Sequence, residues 1–155
     1  MDGGAAERFS SNEPETRRQV ICDIPSDGGA EALEILMKGL SDENWRVRKE
    51  AARRIESWPG VTDAVKSLVG AVAANDDVGL RNAALSALAG IGKPAIHPLV
   101  TALQGSDKHH IFLIQALGDI GDVSAIDEVK KWLANEDVNL QVAAIEALAS
   151  IGGES

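Results

Sequence analysis

Tyrosine is missing from this sequence, and the three Trp and two Phe make up only 3% of its 155 residues. A core built with so few rings has to be filled by Ala, Leu, Ile and Val, which suits close-packed helices better than a β-sandwich. One cysteine, Cys22, excludes an internal disulfide. No apolar run approaches the roughly 18 residues that a membrane span needs. The opening MDGGAAERFSSNEPE has neither a basic start nor an apolar core, so it does not read as a secretory signal, and a cytoplasmic setting is expected. Positive charge is also short: 15 Lys and Arg stand against 24 Asp and Glu, a net charge of −9. That balance lacks the basic footprint that nucleic acid and anionic membranes attract, so neither is an expected partner.

What the chain does have is internal repetition. Val78 to Leu103 reads as helix, break, helix. Leu80, Ala84, Leu85, Leu88 and Ile91 fall on one stripe of a 3.6-residue period. Gly92 is placed to adopt the left-handed conformation after the helix end, and Pro94 to begin a second helix. Ala95, Ile96, Leu99, Val100 and Leu103 form the second stripe. The rest of the chain copies this pair. Aligned on Arg81, the marker positions are Arg17, Arg48, Arg81, His110 and Gln141, at intervals of 31, 33, 29 and 31 residues, the length of a helix-pair repeat.

The columns agree. Seven residues after the marker stand Ile24, Ile55, Leu88, Leu117 and Leu148. The second helices align on Leu40, Val72, Leu103 and Leu133, with alanine eight residues earlier each time: Ala32, Ala64, Ala95 and Ala125. A small residue kept in every copy is what two closely approaching helices require. Acidic or amide clusters precede the marker helices (Ser41 to Asn44, Asn75 to Asp77, Ser106 and Asp107, Asn135 to Asp137) and are suited to capping. The pattern predicts five marker helices and four partners, with a loose tail over residues 1–11 that keeps a helical remnant at Ala5 to Phe9, a repeat domain over 12–152 and a short tail over 153–155.

The strings WRVRKEAARRI, LRNAALSALAGIGKPAIHPLVTAL, LIQALGDIGDVSAIDEVKKWL and NLQVAAIEALASIG resemble the HEAT-like repeat first associated with phycobilin lyases. The resemblance covers nearly the whole of 12–152. It implies an all-α, right-handed α-solenoid of about five HEAT-like repeats, with the marker helices lining the concave surface. It also implies that the marker arginines, Arg48 and Arg81, pair with loop aspartates, for which Asp42, Asp76, Asp77 and Asp107 are candidates. His110 and Gln141 take the arginine's place in the last two copies, so that ladder is expected to fade.

On that surface one column runs Arg18, Lys49, Asn82, Ile111, Val142, with Arg53, Ser86, Gln115 and Glu146 one turn further on. It passes from basic through neutral to apolar. Arg46, Arg48, Lys49, Arg53 and Arg54 put five positive charges into nine residues of an acidic protein. A groove about 30–40 Å long follows from helices about 8–10 Å apart. Its expected occupant is a helix or peptide of a protein partner, held by Arg18, Lys49, Arg53, Asn82, Ile111, Gln115 and Val142.

Catalytic chemistry is hard to locate in single motifs. None of His97, His109 and His110 is followed by Glu, unlike the di-iron His-Glu repeats of deoxyhypusine hydroxylase, which has a similar architecture. Asp107 with His109 and His110 fits a polar loop before a helix better than a metal site. Cys22 has no histidine at helical spacing. The tryptophans are too scattered for the stacking groove of a HEAT-like DNA glycosylase. These readings lead to the expectation of a non-catalytic adaptor without cofactor or metal. The alternatives are a subunit of a bilin lyase or isomerase, implied by the resemblance, and a segment of a longer array. The helix Val138 to Ile151 should pack on its predecessor and leaves an end without a polar cap, so an end-to-end homodimer through it is a further expectation.

Overall fold

The computed structural model describes residues 4–73, 77–105 and 109–153. Among these there are ten α-helices and no strand. The five marker helices are α2 (Pro14–Asp23), α4 (Trp45–Glu56), α6 (Val78–Ile91), α8 (His110–Ile120) and α10 (Val138–Gly153). Their partners are α3 (Gly29–Leu40), α5 (Val61–Ala73), α7 (Ile96–Leu103) and α9 (Ile126–Lys130). The tenth, α1 (Gly4–Phe9), lies in the N-terminal tail at the helical remnant expected there, and its Ala5 and Phe9 pack against the core. The repeat solenoid is therefore all-α, as the columns require. No single helix among the described residues is long and apolar enough to cross a membrane.

The alanine column sets the helix spacing. Ala32, Ala64, Ala95 and Ala125 are each fully buried, and so are Leu36, Leu68, Leu99 and Val129 one turn further on. A larger side chain at the alanines would push two helices apart. The marker helices contact their sequential neighbours more extensively than the partner helices contact theirs.

Glycines mark the tightest approaches and the bends. A Cβ on Gly118 would stand 2.7 Å from the Ala147 Cα, so α8 and α10 touch backbone to backbone there. Gly92 has φ +71°, which closes α6 by donating its N–H to the Leu88 carbonyl, and the chain turns through 116° there. Pro94 sits in a 3₁₀ turn, Lys93–Ala95, ahead of α7 proper. The marker helices α4, α6 and α8 each pack more fully on the partner helix before them than on the one after them.

The marker residues bind those loops. Arg17 donates to the Ser11 carbonyl at 2.8 Å, Arg48 to the Asp42 carbonyl at 2.8 Å, and Gln141 to the Asn135 carbonyl at 2.6 Å. His110 Nε2 lies 3.2 Å from the Gly105 carbonyl oxygen. In three copies the same contact to the sixth residue upstream recurs, so the ladder outlasts the loss of arginine. The aspartate pairing differs from the one expected. Asp42 takes the guanidinium of Arg17, at 2.7 Å and 2.9 Å, while Arg48 takes main-chain oxygens instead. Asp77 accepts from the Leu80 N–H and caps α6. Arg81 lies over the Phe112 ring, 4.2 Å from its centroid. Asp76 and Asp107, with Asn75 and Ser106, fall outside the described residues.

Two expected core positions are exposed. Ile145 is 58% accessible although its column mates Ala52, Leu85 and Ile114 are buried. A further repeat lies beyond each of those three, and none lies beyond α10 among the described residues. Leu133 is 40% accessible because the chain tightens into a 3₁₀ turn, Lys131–Ala134, which turns Trp132 inward onto His110 instead.

Two outcomes test this account. Burial pushes the Asp42 carboxyl up, but the Arg17 hydrogen bond and the Asn44 N–H outweigh it and hold Asp42 below the ordinary range. Its contribution is thus full above about pH 4 and is lost as pH falls through the depressed value. Arg17→Met should cost about 3 kcal/mol at pH 7, because it strands a buried carboxylate, and should shrink the further loss between pH 7 and pH 3 in urea titrations. Equal stability of variant and parent at pH 7 would refute the tie. Gly118→Ala should destabilise by about 1–3 kcal/mol by prising α10 from α8. Gly70→Ala, with open space around it, should stabilise by about 0.5–1 kcal/mol in the same melts.

Candidate functional site

The basic run of α4 is helical because Asn44 caps it, accepting the Arg46 N–H at 2.9 Å, and because Val47, Ala51, Ala52 and Ile55 bury one face. Trp45, Lys49, Ala52, Arg53 and Glu56 then share the face turned toward α6. Opposite stand Gly79, Asn82, Ala83 and Ser86 of α6, and the two rows enclose a groove of about 470 Å³. Lys49, Arg53 and Asn82, taken from the sequence as candidates, meet here.

The five positive charges of α4 are not equivalent. Arg46 lies over the Trp45 ring at 5.5 Å, Arg48 holds the loop carbonyls, and Arg54 donates to the Ile24 carbonyl at the end of α2. Arg53 is bonded to Glu50 at 2.5 Å. Lys49 alone of the five has no side-chain hydrogen bond, ion pair or ring contact among the described residues. The groove thus carries Arg48, Lys49 and Arg53 against one carboxylate, Glu56. That carboxylate lies at the far end, folded onto Gly90, where an added Cβ would overlap its Cδ. Burial raises its pKa. At the groove's other end Trp45 is 57% exposed.

The remaining candidates lie elsewhere. Arg18 sits in the seam of α2 and α4, paired with Glu15 at 2.6 Å and 3.4 Å from the Cys22 Sγ. Burial and the nearby Glu50 charge push the Cys22 thiol up, which makes it a poor nucleophile. Ile111 and Gln115 line a separate groove of about 280 Å³ between α8 and α10, with Asp119 and Glu146. Val142 is exposed and lines neither groove. The seven residues are therefore distributed over distinct places on the marker face, and only three share the basic groove. Sequence reasoning left out Trp45 and Glu56. The spacing of Trp45, Lys49 and Arg53 at successive turns was the available signal for the indole.

Among the described residues no group of three His, Cys, Asp or Glu is placed to hold a metal. His109 turns toward Phe112 and His110 toward Trp132, while Asp107 lies outside the described residues.

Comparison with known proteins adds the following. Residues 5–89 match the HEAT repeats family, and residues 80–105 match the PBS lyase HEAT-like repeat. Among curated proteins, the chain is 34% identical over 122 residues to the Bilin biosynthesis protein PecE of Mastigocladus laminosus, covering 73% of this chain and 45% of that protein. It is 31% identical over 129 residues to the protein of the same name from Nostoc sp. (strain PCC 7120), covering 77% and 51%. The chain spans about half the length of the curated relatives it matches. Among solved structures, an engineered protein aligns with TM-score 0.43 at 23% identity, covering 96% of this chain and 78% of that one. A designed armadillo repeat protein in complex with the peptide (KR)4 aligns with TM-score 0.44 at 18% identity, covering 95% and 80%.

The biosynthetic relatives correct the expectation of a non-catalytic adaptor, and with it the expectation that the chain is no enzyme. The chain belongs to the HEAT repeats, and its 80–105 segment is of the PBS lyase HEAT-like type.

Proposed function

We propose that this chain is a subunit of a bilin lyase or isomerase-type enzyme, acting on an open-chain tetrapyrrole and on the protein that receives it. The observation that carries this reading is the similarity to two proteins named for bilin biosynthesis, over about three quarters of this chain. The marker face supports it: α4 and α6 offer a cationic groove, while α8 and α10 offer a second groove with apolar Ile111 and acidic Asp119 and Glu146. Such a face suits a small anionic molecule at one end and a protein surface at the other. Of the candidate residues, Lys49, Arg53 and Asn82 serve the first purpose, Ile111, Gln115 and Val142 the second, and Arg18 orders the seam behind Arg53 through Glu50. The partners are thus proteins, and the setting is cytoplasmic. Co-expression with a bilin and its acceptor protein should give a coloured adduct that survives denaturing electrophoresis. A colourless acceptor, as in cells lacking this chain, would overturn the reading.

The exposed end of α10 suits a second copy of the chain. Val138 and Ile145 are 65% and 58% accessible there, and Glu146 is the only charged side chain of the helix. Sedimentation at several concentrations should show a monomer–dimer equilibrium that Ile145→Glu abolishes. A strict monomer at high concentration would remove the homodimer.

A further inference from the structure

We infer that the groove between α4 and α6 is a carboxylate-recognising site for a linear tetrapyrrole, with Lys49 and Arg53 facing its two propionate side chains. The inference rests on the bilin reading above and names where this chain would hold the molecule. Bilins carry their two carboxylates on the neighbouring central rings. Lys49 and Arg53 are one helical turn apart, about 5–6 Å between Cβ atoms, and so present two cations at a matching interval. Lys49 has no side-chain hydrogen bond, ion pair or ring contact among the described residues, so its ammonium is available without breaking an existing contact. Arg53 is 63% exposed and keeps free N–H groups beside its bond to Glu50.

The rest of the groove fits the same molecule. Its floor is Ala52, Ala83 and Gly79, small enough to let a flat conjugated system lie between the helices. Asn82 and Ser86 stand across from the two cations, also one turn apart, and supply a carbonyl and a hydroxyl for pyrrole and lactam groups. Trp45 offers an indole at the end opposite Glu56. The volume of about 470 Å³ falls within the range of small-molecule sites.

One end of the groove separates this ligand from an acidic peptide. Glu56 lies on Gly90 at the C-terminal ends of both helices. That carboxylate repels a string of acidic side chains, whereas a tetrapyrrole directs its two charges to one edge and keeps both near Lys49 and Arg53.

Biliverdin and its dimethyl ester provide the test, titrated into the full chain and followed by the visible absorption of the pigment. The free acid should bind at least tenfold more tightly than the ester. Lys49→Met and Arg53→Gln should each weaken the acid severalfold, leave the ester unchanged and leave the far-UV circular dichroism intact. Equal binding of acid and ester, binding unaffected by both substitutions, or no binding to the parent chain would overturn the assignment. So would displacement of biliverdin by a hexaglutamate peptide at equal concentration, which would mark a peptide groove. A coloured adduct formed undiminished by Lys49→Met would sink the groove and leave the proposed function standing. Acid-selective binding without adduct formation would do the reverse.

Discussion

Everything in this solenoid depends on how closely two helices can come. The fully buried alanines at 32, 64, 95 and 125 fix that distance once per repeat, and the glycine at 118 shortens it further at one junction. A chain with almost no aromatic side chains can build a dense interior only in this way, because Leu, Ile and Val must reach one another across short gaps. The same spacing makes the marker face usable. Helices held near one another by small residues leave slots between their outer rows, and whatever stands on those rows faces a neighbour one helix away.

The fold was legible in the sequence because internal copies supplied the comparison. Each column was tested four or five times within one chain. The fully buried Ile55, Leu88, Leu99 and Leu117 are residues that the repeat spacing places on the core stripes. Legibility failed where a copy has no neighbour to complete it. Ile145 obeys its column in identity and departs from it in burial, since burial there is conferred by the next repeat. Leu133 was misplaced because a 3₁₀ turn shifts the phase of a helix by a fraction of a residue at each step, which period counting cannot see.

The site was half legible. Lys49, Arg53 and Asn82 were found together because the helix period puts them on facing rows. The continuous inner groove drawn from the same period breaks into separate slots, for reasons that belong to side chains. Arg81 lies on Phe112 between α6 and α8, and Glu56 lies against Gly90 at the end of the first slot. Neither event leaves a mark in the sequence beyond the presence of a glycine.

The loop ties described above are ionic at one end of the array and neutral at the other. Arg17 holds its loop through the carboxylates of Asp42 and Glu43 as well as a carbonyl, whereas Gln141 holds Asn135 with an uncharged amide. In a repeat stack, local stability is a sum of neighbouring terms, and opening starts where the sum is smallest. Acid weakens the first tie and leaves the Gln141 amide untouched, and salt screens the exposed part of the ionic tie. The array therefore has a chemical direction: lowering the pH moves the starting point of unravelling toward α1 and α2, while the α8–α10 junction, held by Gly118 and an amide, keeps its hold.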